Sequence, residues 1–191
     1  PGFRGGDRTD IALPQVQKDM LRALHQAGKK IILVNFSGSA IGLEEEADYV
    51  SAIIQAWYPG QAGGTALAEV LFGDYNPAGR LPVTFYKSVA QLPDFEDYSM
   101  KGRTYRYFEG EAQFPFGYGL SYTTFKYGSP ELSSMEVAAD GSATLSVKVS
   151  NTGNYDGEEV VQLYLQKPDD ADGPTKALRG FERVFVPKGE T

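Results

Sequence analysis

Apolar residues recur at helical spacing near the start of the chain. Between Pro14 and Gly28 the large apolar side chains are Val16, Met20, Leu21 and Leu24. This spacing places them on one face of a helix. Proline is tolerated in a first helical turn, where its missing N–H would be unpaired anyway, and glycine is favoured just past a helix end. The pattern therefore predicts a helix between Pro14 and Gly28.

Two short apolar runs follow, at residues 30–36 and 50–58. Continuous runs of this kind are typical of strands buried on both faces, as in a parallel sheet with helices on each side. Pro59 and Gly60 end the second run, and residues 63–65 (GGT) open another helix. That glycine pair lacks the following lysine of a phosphate-binding loop, so we interpret it as tight packing. Residues 1–86 are thus predicted to be part of an α/β domain, with further strands upstream.

The pattern changes twice more along the chain. Residues 87–128 are rich in proline, glycine and aromatic residues, whereas flexible linkers are poor in aromatics, so we expect a packed connection. From residue 129 the period is two: apolar and polar residues alternate over 143–150, and further strands are expected over 160–165 and 178–184. Turn residues at 151–154 separate the alternating segment from the strand expected over 160–165. Short strands with such turns favour an incomplete β-sandwich of fibronectin type III or immunoglobulin character.

Composition excludes several classes of function. The net charge is −7 and no basic stripe occurs, so a nucleic-acid partner is not expected. No run of about 18 apolar residues exists, so no membrane partner is expected either. Without cysteine there are no disulfides, thiolate metal sites or thiol nucleophiles. His25 is the only histidine and lies in the first predicted helix, where a surface or packing role is expected.

Both ends of the chain read as cuts in a longer protein. It begins PGF, without an initiator methionine or a signal-type apolar core, and it closes on a turn that no return strand follows. We therefore expect a fragment, and the missing signal peptide leaves the compartment of the parent protein open.

Three ordered blocks of the sequence carry recognisable motifs. The first, within residues 56–85, contains AWYPGQ and GDYNPAGRLPVTF. The second contains GRTYRYF at 102–108 and FPFGYGLSYTTF at 114–125. The third contains VSNTG at 149–153, QLY at 162–164 and LRGF at 178–181. In their order and spacing, over more than half the chain, these blocks resemble family 3 glycoside hydrolases, the β-glucosidase and β-xylosidase family.

The resemblance implies a domain plan and a set of partners. Residues 1–86 would be the second half of the α/β sandwich domain, 87–128 the connection, and 129–191 a fibronectin type III-like domain truncated at its C-terminus. The partners would be an oligosaccharide substrate and an N-terminal barrel of the same chain. No cofactor and no metal are implied. The parent would be periplasmic or secreted, although nothing in these residues decides it.

The resemblance also implies that the catalytic residues lie mostly outside this chain. Retaining β-glycosidases use two carboxylates about 5–5.5 Å apart. In proteins that look like this one, the nucleophile is an Asp of the barrel, and the acid/base is a Glu shortly before a Gly-Asp-Arg sequence. Here Gly6, Asp7 and Arg8 form that sequence, and nothing acidic precedes Asp7. Both catalytic groups are therefore expected upstream of Pro1, which leaves this chain inert alone.

Four residues remain candidates for binding substrate. Asp7 and Arg8 would lie beside the acid/base loop, where a structural ion pair or helix cap is the simpler alternative. Arg103 and Tyr105 would orient a sugar or, alternatively, clamp the connection onto the barrel.

Two other features have a simpler structural interpretation, and one other class of protein stays open. Trp57 would offer its ring for a sugar to stack on or, more simply, would pack in a core or an interface. The acidic run at 44–46 reads as a solvated face. A non-catalytic carbohydrate-binding or structural β-sandwich module is the alternative to an enzyme.

Overall fold

The computed structural model describes residues 9–191, which group into two compact units. Unit 1 comprises the residues up to Leu67 together with Leu81–Tyr118 and Tyr164–Arg179. Unit 2 comprises Ala68–Arg80, Gly119–Leu163 and Gly180–Thr191. The chain thus passes between the units several times.

The elements follow one another in a helix-rich first part and a strand-rich second part. The helices are α1 (Gln15–Gln26), α2 (Gly63–Phe72) and α3 (Thr104–Tyr107), with 3-10 turns at Glu46–Asp48 and Val89–Gln91. The strands are β1 (Ile32–Asn35), β2 (Ala52–Gln55), β3 (Phe125–Tyr127), β4 (Glu131–Leu132), β5 (Leu145–Ser146), β6 (Val149–Asn151), β7 (Gly157–Leu165) and β8 (Ala177–Val186).

Unit 1 contains the predicted helix and a parallel strand pair. Helix α1 buries Leu21, and the chain leaves it through Gly28, whose φ of +70° is the left-handed conformation that glycine adopts without strain. Strands β1 and β2 pair in parallel, with Ile32 opposite Ala52 and Asn35 opposite Gln55. The predicted helix and both predicted strands of this part of the chain are confirmed.

The prediction that both strands are buried on both faces is wrong, because only Asn35 of β1 and no residue of β2 is buried. Ile32 is 53% exposed, whereas the preceding Ile31 is buried. The reason is the size of the sheet: in the described residues β1 pairs with β2 alone, and each strand has only four residues. Among the described residues, the buried apolar side chains of unit 1 are Leu21, Ile31, Ile41, Leu43, Phe85 and Ala177.

Unit 2 contains short antiparallel pairs. Strand β3 pairs with β6, with Phe125 opposite Asn151, and β4 pairs with β5. The longer strands β7 and β8, of nine and ten residues, also pair with each other, in agreement with the strands predicted over 160–165 and 178–184.

The alternating segment at residues 143–150 differs from its prediction. It divides into β5 and β6, and of its inward-facing positions Val149 is buried whereas Leu145 is 38% exposed.

Asn151, predicted to begin a turn, is the buried last residue of β6. Its Nδ2 donates to the carbonyl oxygens of Tyr155 and Val186 at 2.8 and 2.9 Å, and its Oδ1 accepts the Thr123 hydroxyl at 2.7 Å. Because every polar atom of the amide has a partner, burial carries little desolvation cost.

Candidate functional site

A polar network lies at the carboxyl ends of β1 and β2. The Nδ2 atom of Asn35 donates to Oε1 of Gln55 at 2.7 Å and to the Ser37 hydroxyl at 3.1 Å. Gln55 in turn donates to the Ser37 hydroxyl at 3.1 Å, and that hydroxyl donates to the Ser39 carbonyl at 2.7 Å. The carboxyl edge of parallel strands is where ligands of open α/β sheets bind. The network therefore stiffens the part of unit 1 best placed to form a wall of a site.

Trp57 follows β2 at this same edge. Its φ is +55°, a left-handed conformation that costs a bulky residue about 1–3 kcal/mol and persists only where surrounding contacts enforce it. The half-buried indole packs edge-on against buried Phe85, with ring centroids 6.1 Å apart. Trp57 thus has the packing role expected of it. Its strained backbone conformation, in contrast, could not be predicted from the sequence.

A row of aromatic rings extends from Trp57 into the connection. Phe85 and Phe114 form an antiparallel bridge and an edge-on ring pair, and the ring of Phe114 stacks on Tyr118 at 5.4 Å. Next to this row, Gln113 accepts the Leu43 N–H at 2.8 Å through its Oε1. The aromatic-rich segment belongs to unit 1 as far as Tyr118, whereas its remainder, from Gly119, belongs to unit 2.

Arg103, a predicted substrate-binding residue, immediately precedes α3. Its guanidinium donates to three backbone carbonyls, those of Asp94 at 2.8 Å, Asp97 at 2.6 Å and Ser99 at 3.2 Å. The next residue, Thr104, has a φ of +56° and donates its N–H to the Tyr86 hydroxyl at 2.9 Å. The side chain of Arg103 therefore braces the loop at 94–99.

Tyr105, the second predicted substrate-binding residue, packs through its ring and forms a hydrogen bond through its hydroxyl. The ring stacks on Phe116 with centroids 4.1 Å apart and contacts Tyr164 edge-on. The hydroxyl accepts the Leu178 N–H at 3.1 Å. The segment around α3 is held further by the Arg106 carbonyl, which accepts the N–H and the hydroxyl of Thr175 at 2.7 and 3.0 Å.

The structure brings Arg103 and Tyr105 together on one short segment. Asp7 and Arg8 lie outside the described residues. Binding of substrate by any of the four stays a prediction.

Glu46 corrects the interpretation of the acidic run as a solvated face. Glu44 and Glu45 are exposed, and Glu45 pairs with Arg22 at 2.8 Å. Glu46, however, begins a 3-10 turn that carries its side chain inward, and it is 0% exposed. Neither carboxylate oxygen has a hydrogen-bond partner, and the nearest cation, Nζ of Lys18, lies 4.0 Å away.

The hydroxyl of Tyr49 is also buried without a partner. Burial, and then the charge of Glu46, raise the pKa of this hydroxyl. The carboxylate of Glu46 and the hydroxyl of Tyr49 are therefore two exceptions to the rule that buried polar groups are hydrogen-bonded.

Within residues 9–191, no group of three or more His, Asp or Glu side chains is arranged to hold a metal ion. None of the helices in that range combines the length and the apolar content that crossing a bilayer demands.

The described residues thus combine an α/β part with short antiparallel strand pairs. The model of the glycosyl hydrolase family 3 C-terminal domain matches residues 3–122. The model of the fibronectin type III-like domain matches residues 159–191. The chain belongs to glycoside hydrolase family 3.

Relatives match the whole chain. A protein of Xylanibacter ruminicola named xylan 1,4-beta-xylosidase is 60% identical over 100% of this chain and 22% of its own length. A protein of Salmonella typhimurium named periplasmic beta-glucosidase is 43% identical over 96% of this chain and 26% of its own length. The solved beta-D-glucoside glucohydrolase of Trichoderma reesei matches with a TM-score of 0.86 and 30% identity, over 97% of this chain and 30% of that one.

The chain thus spans about a quarter of the length of the curated relatives that it matches. These relatives are larger glycosidases, and the chain corresponds to only a part of each.

Proposed function

We propose that the protein to which this chain belongs is a retaining exo-β-glycosidase, which releases a β-linked xylose or glucose from the non-reducing end of an oligosaccharide. The observation that carries the proposal is the match of the entire chain to proteins named β-xylosidase and β-glucosidase. Its 60% identity to the first makes a xylan-derived oligosaccharide the first substrate to test.

The chain supplies support and one wall of the site in this proposal. Unit 1 is part of an α/β sandwich whose remaining strands precede it, and the strand pairs of unit 2 belong to a β-sandwich of fibronectin type III character. The rigid carboxyl edge built from Asn35, Ser37 and Gln55 faces the substrate, because loops at that edge of a parallel sheet form ligand sites. The two carboxylates of the retaining mechanism come from the preceding barrel and the loop before residue 1.

The four candidate residues have different roles under this proposal. Asp7 and Arg8 shape the sugar-binding edge next to the acid/base loop. Arg103 and Tyr105 hold the connection in the position from which it reaches the sugar, because their polar atoms are already engaged by backbone groups.

The compartment follows from the substrate. A polymer-derived oligosaccharide is met outside the cytoplasm, and the Salmonella relative is named periplasmic. We therefore place the parent protein in the periplasm or outside the cell.

The test compares this chain with the full-length parent on aryl β-xyloside and aryl β-glucoside. We expect turnover by the parent, with the first product released in the β configuration when followed by proton NMR, and none by the chain alone. A first product in the α configuration would exclude the retaining mechanism. Clear turnover by the pure chain would show that a catalytic carboxylate lies within these residues.

A further inference from the structure

Unit 2 contains a cleft of about 530 Å³, which lies within the range of about 300–1,000 Å³ common for small-molecule sites. Three aromatic side chains line it, those of Phe72, Tyr122 and Tyr155. Three polar side chains complete the lining: Asp74, Asn76 and Asp156. None of these residues has a role in the function proposed above.

The floor of the cleft is fixed by the amide of Asn76. Its Oδ1 accepts the Ser121 hydroxyl at 2.9 Å and the Tyr122 N–H at 2.8 Å, and its Nδ2 donates to the Asp156 carbonyl at 2.9 Å. The carbonyl oxygen of the amide accepts two hydrogen bonds and one of its N–H groups donates a third, so the side chain fixes the positions of its neighbours. A side chain at Gly157 would place its Cβ 2.8 Å from this Nδ2, so the close approach requires glycine.

Hydrogen bonds also fix two residues in the wall of the cleft, Tyr122 and Asp156. The Tyr122 hydroxyl donates to the Val70 carbonyl at 2.6 Å, which fixes the plane of its ring. Asp156 accepts the Lys188 N–H at 2.8 Å through one carboxylate oxygen.

The groups left for a ligand are aromatic faces and oxygen acceptors. Phe72 is 83% exposed and Tyr155 is 62% exposed. Within residues 9–191, the carboxylate of Asp74 and the hydroxyl of Tyr155 have no hydrogen-bond or ion-pair partner. Open aromatic surface beside convergent polar groups in one concave place marks a binding site.

We propose that this cleft is a saccharide-binding site that holds one or two sugar residues of an oligosaccharide. The apolar C–H face of a pyranose packs on Phe72 and Tyr155, while sugar hydroxyls donate to the carboxylate oxygens of Asp74. The choice of a saccharide rests on the proposed function. A small organic cation is the other ligand that aromatic rings beside carboxylates would suit.

The test is an NMR titration of the ¹⁵N-labelled 191-residue chain with xylobiose, xylotetraose and cellobiose, and separately with choline. We expect saturable shifts of the Gly73, Asp74, Tyr155 and Asp156 amides with at least one sugar, and a dissociation constant on the order of 1 mM. Shifts with choline and with no sugar would overturn the saccharide assignment, as would the absence of any saturable shift.

Matched variants locate the binding. Tyr155→Ala and Phe72→Ala should each weaken sugar binding about tenfold, whereas Phe181→Ala should leave it unchanged. Phe181 is a suitable control because it is 72% exposed in unit 2 and does not line the cleft. Equal effects of all three variants would contradict a defined cleft, and the unperturbed part of each spectrum reports that the variant is folded.

The titration separates this inference from the proposed function. A parent without glycosidase activity, combined with retained sugar binding by the cleft, would remove the proposed function only. An active parent whose cleft binds no sugar would overturn the inference and leave the proposed function standing.

Discussion

The Nη2 atom of Arg80 lies 2.5 Å from Oε2 of Glu159, and only 12% of each side chain is exposed. The other oxygen of Glu159 accepts the Tyr127 hydroxyl at 2.8 Å. Arg80 also donates to the Ala78 and Gly79 carbonyls, each at 3.1 Å. This ion pair ties the segment before residue 81 to strand β7 within unit 2.

Removal of one partner of this pair should be costly. We expect Arg80→Ala to lower the free energy of unfolding by about 3–5 kcal/mol, because it leaves a shielded carboxylate without its cation. Lys167→Ala is the control, since Lys167 and Asp170 form an exposed pair at 3.2 Å that should contribute at most about 1 kcal/mol. Urea unfolding followed by circular dichroism measures both, and similar losses for the two variants would contradict the prediction.

Glu46 is a place where removal of a charge should not harm the fold. Its buried carboxylate has no hydrogen-bond partner, so we expect Glu46→Gln to leave the free energy of unfolding unchanged or to raise it by about 1 kcal/mol. Glu46→Ala should lower it by about 2 kcal/mol or more, because it opens a cavity. The thermal unfolding of the two variants distinguishes these outcomes. Strong destabilisation by Glu46→Gln would show that the carboxylate has an essential partner.

Gly153 should tolerate no side chain. A Cβ there would lie 2.2 Å from the Thr123 hydroxyl and 2.5 Å from the Thr124 nitrogen. We expect Gly153→Ala to cost about 1–3 kcal/mol through overpacking, because it displaces the hydroxyl that Asn151 accepts. Gly180→Ala is the matched control, as nothing lies within 4 Å of a Cβ at that position. Equal denaturation midpoints for the two variants would refute the packing argument.

The acid stability of unit 2 should depend on Glu158. The hydrogen bond from Arg183 is the main cause that lowers the pKa of the Glu158 carboxyl, and Tyr75 donates to the same carboxylate at 3.0 Å. Because the folded state lowers this pKa, the stabilisation is present above the ordinary value of 4.5 and is lost as the pH falls below it. Glu158→Gln should therefore lower Tm at pH 6, and should lower it by less at pH 3.

Glu182→Gln controls for the loss of a negative charge, because Glu182 lies on β8 and forms no ion pair within residues 9–191. A gap in Tm between the protein and Glu158→Gln that stays constant from pH 6 to pH 3 would rule out the linkage.

The regular elements could be predicted from the sequence because their signals are local. Helical spacing before Gly28 and the apolar run at 30–36 each correspond to an element of unit 1. The exposure of Ile32 could not be predicted in the same way, because it depends on which strands and helices cover β1.

The candidate site was less predictable than the fold. Glu46 differs from Glu44 and Glu45 only by its place in a 3-10 turn, which no residue type announces. Trp57 has a left-handed φ that is imposed by tertiary packing, and propensity favours no such conformation for tryptophan. The cleft in unit 2 joins residues 72–76 to residues 122 and 155–156, which are far apart in sequence.

Trp57 is the only tryptophan of the chain, and its indole packs on Phe85 in unit 1. The protein therefore has a built-in fluorophore at the carboxyl edge of the parallel strands. Selective excitation of the indole reports on this one location without a label, so loosening of the edge can be followed separately from the tyrosine signals of the rest of the chain.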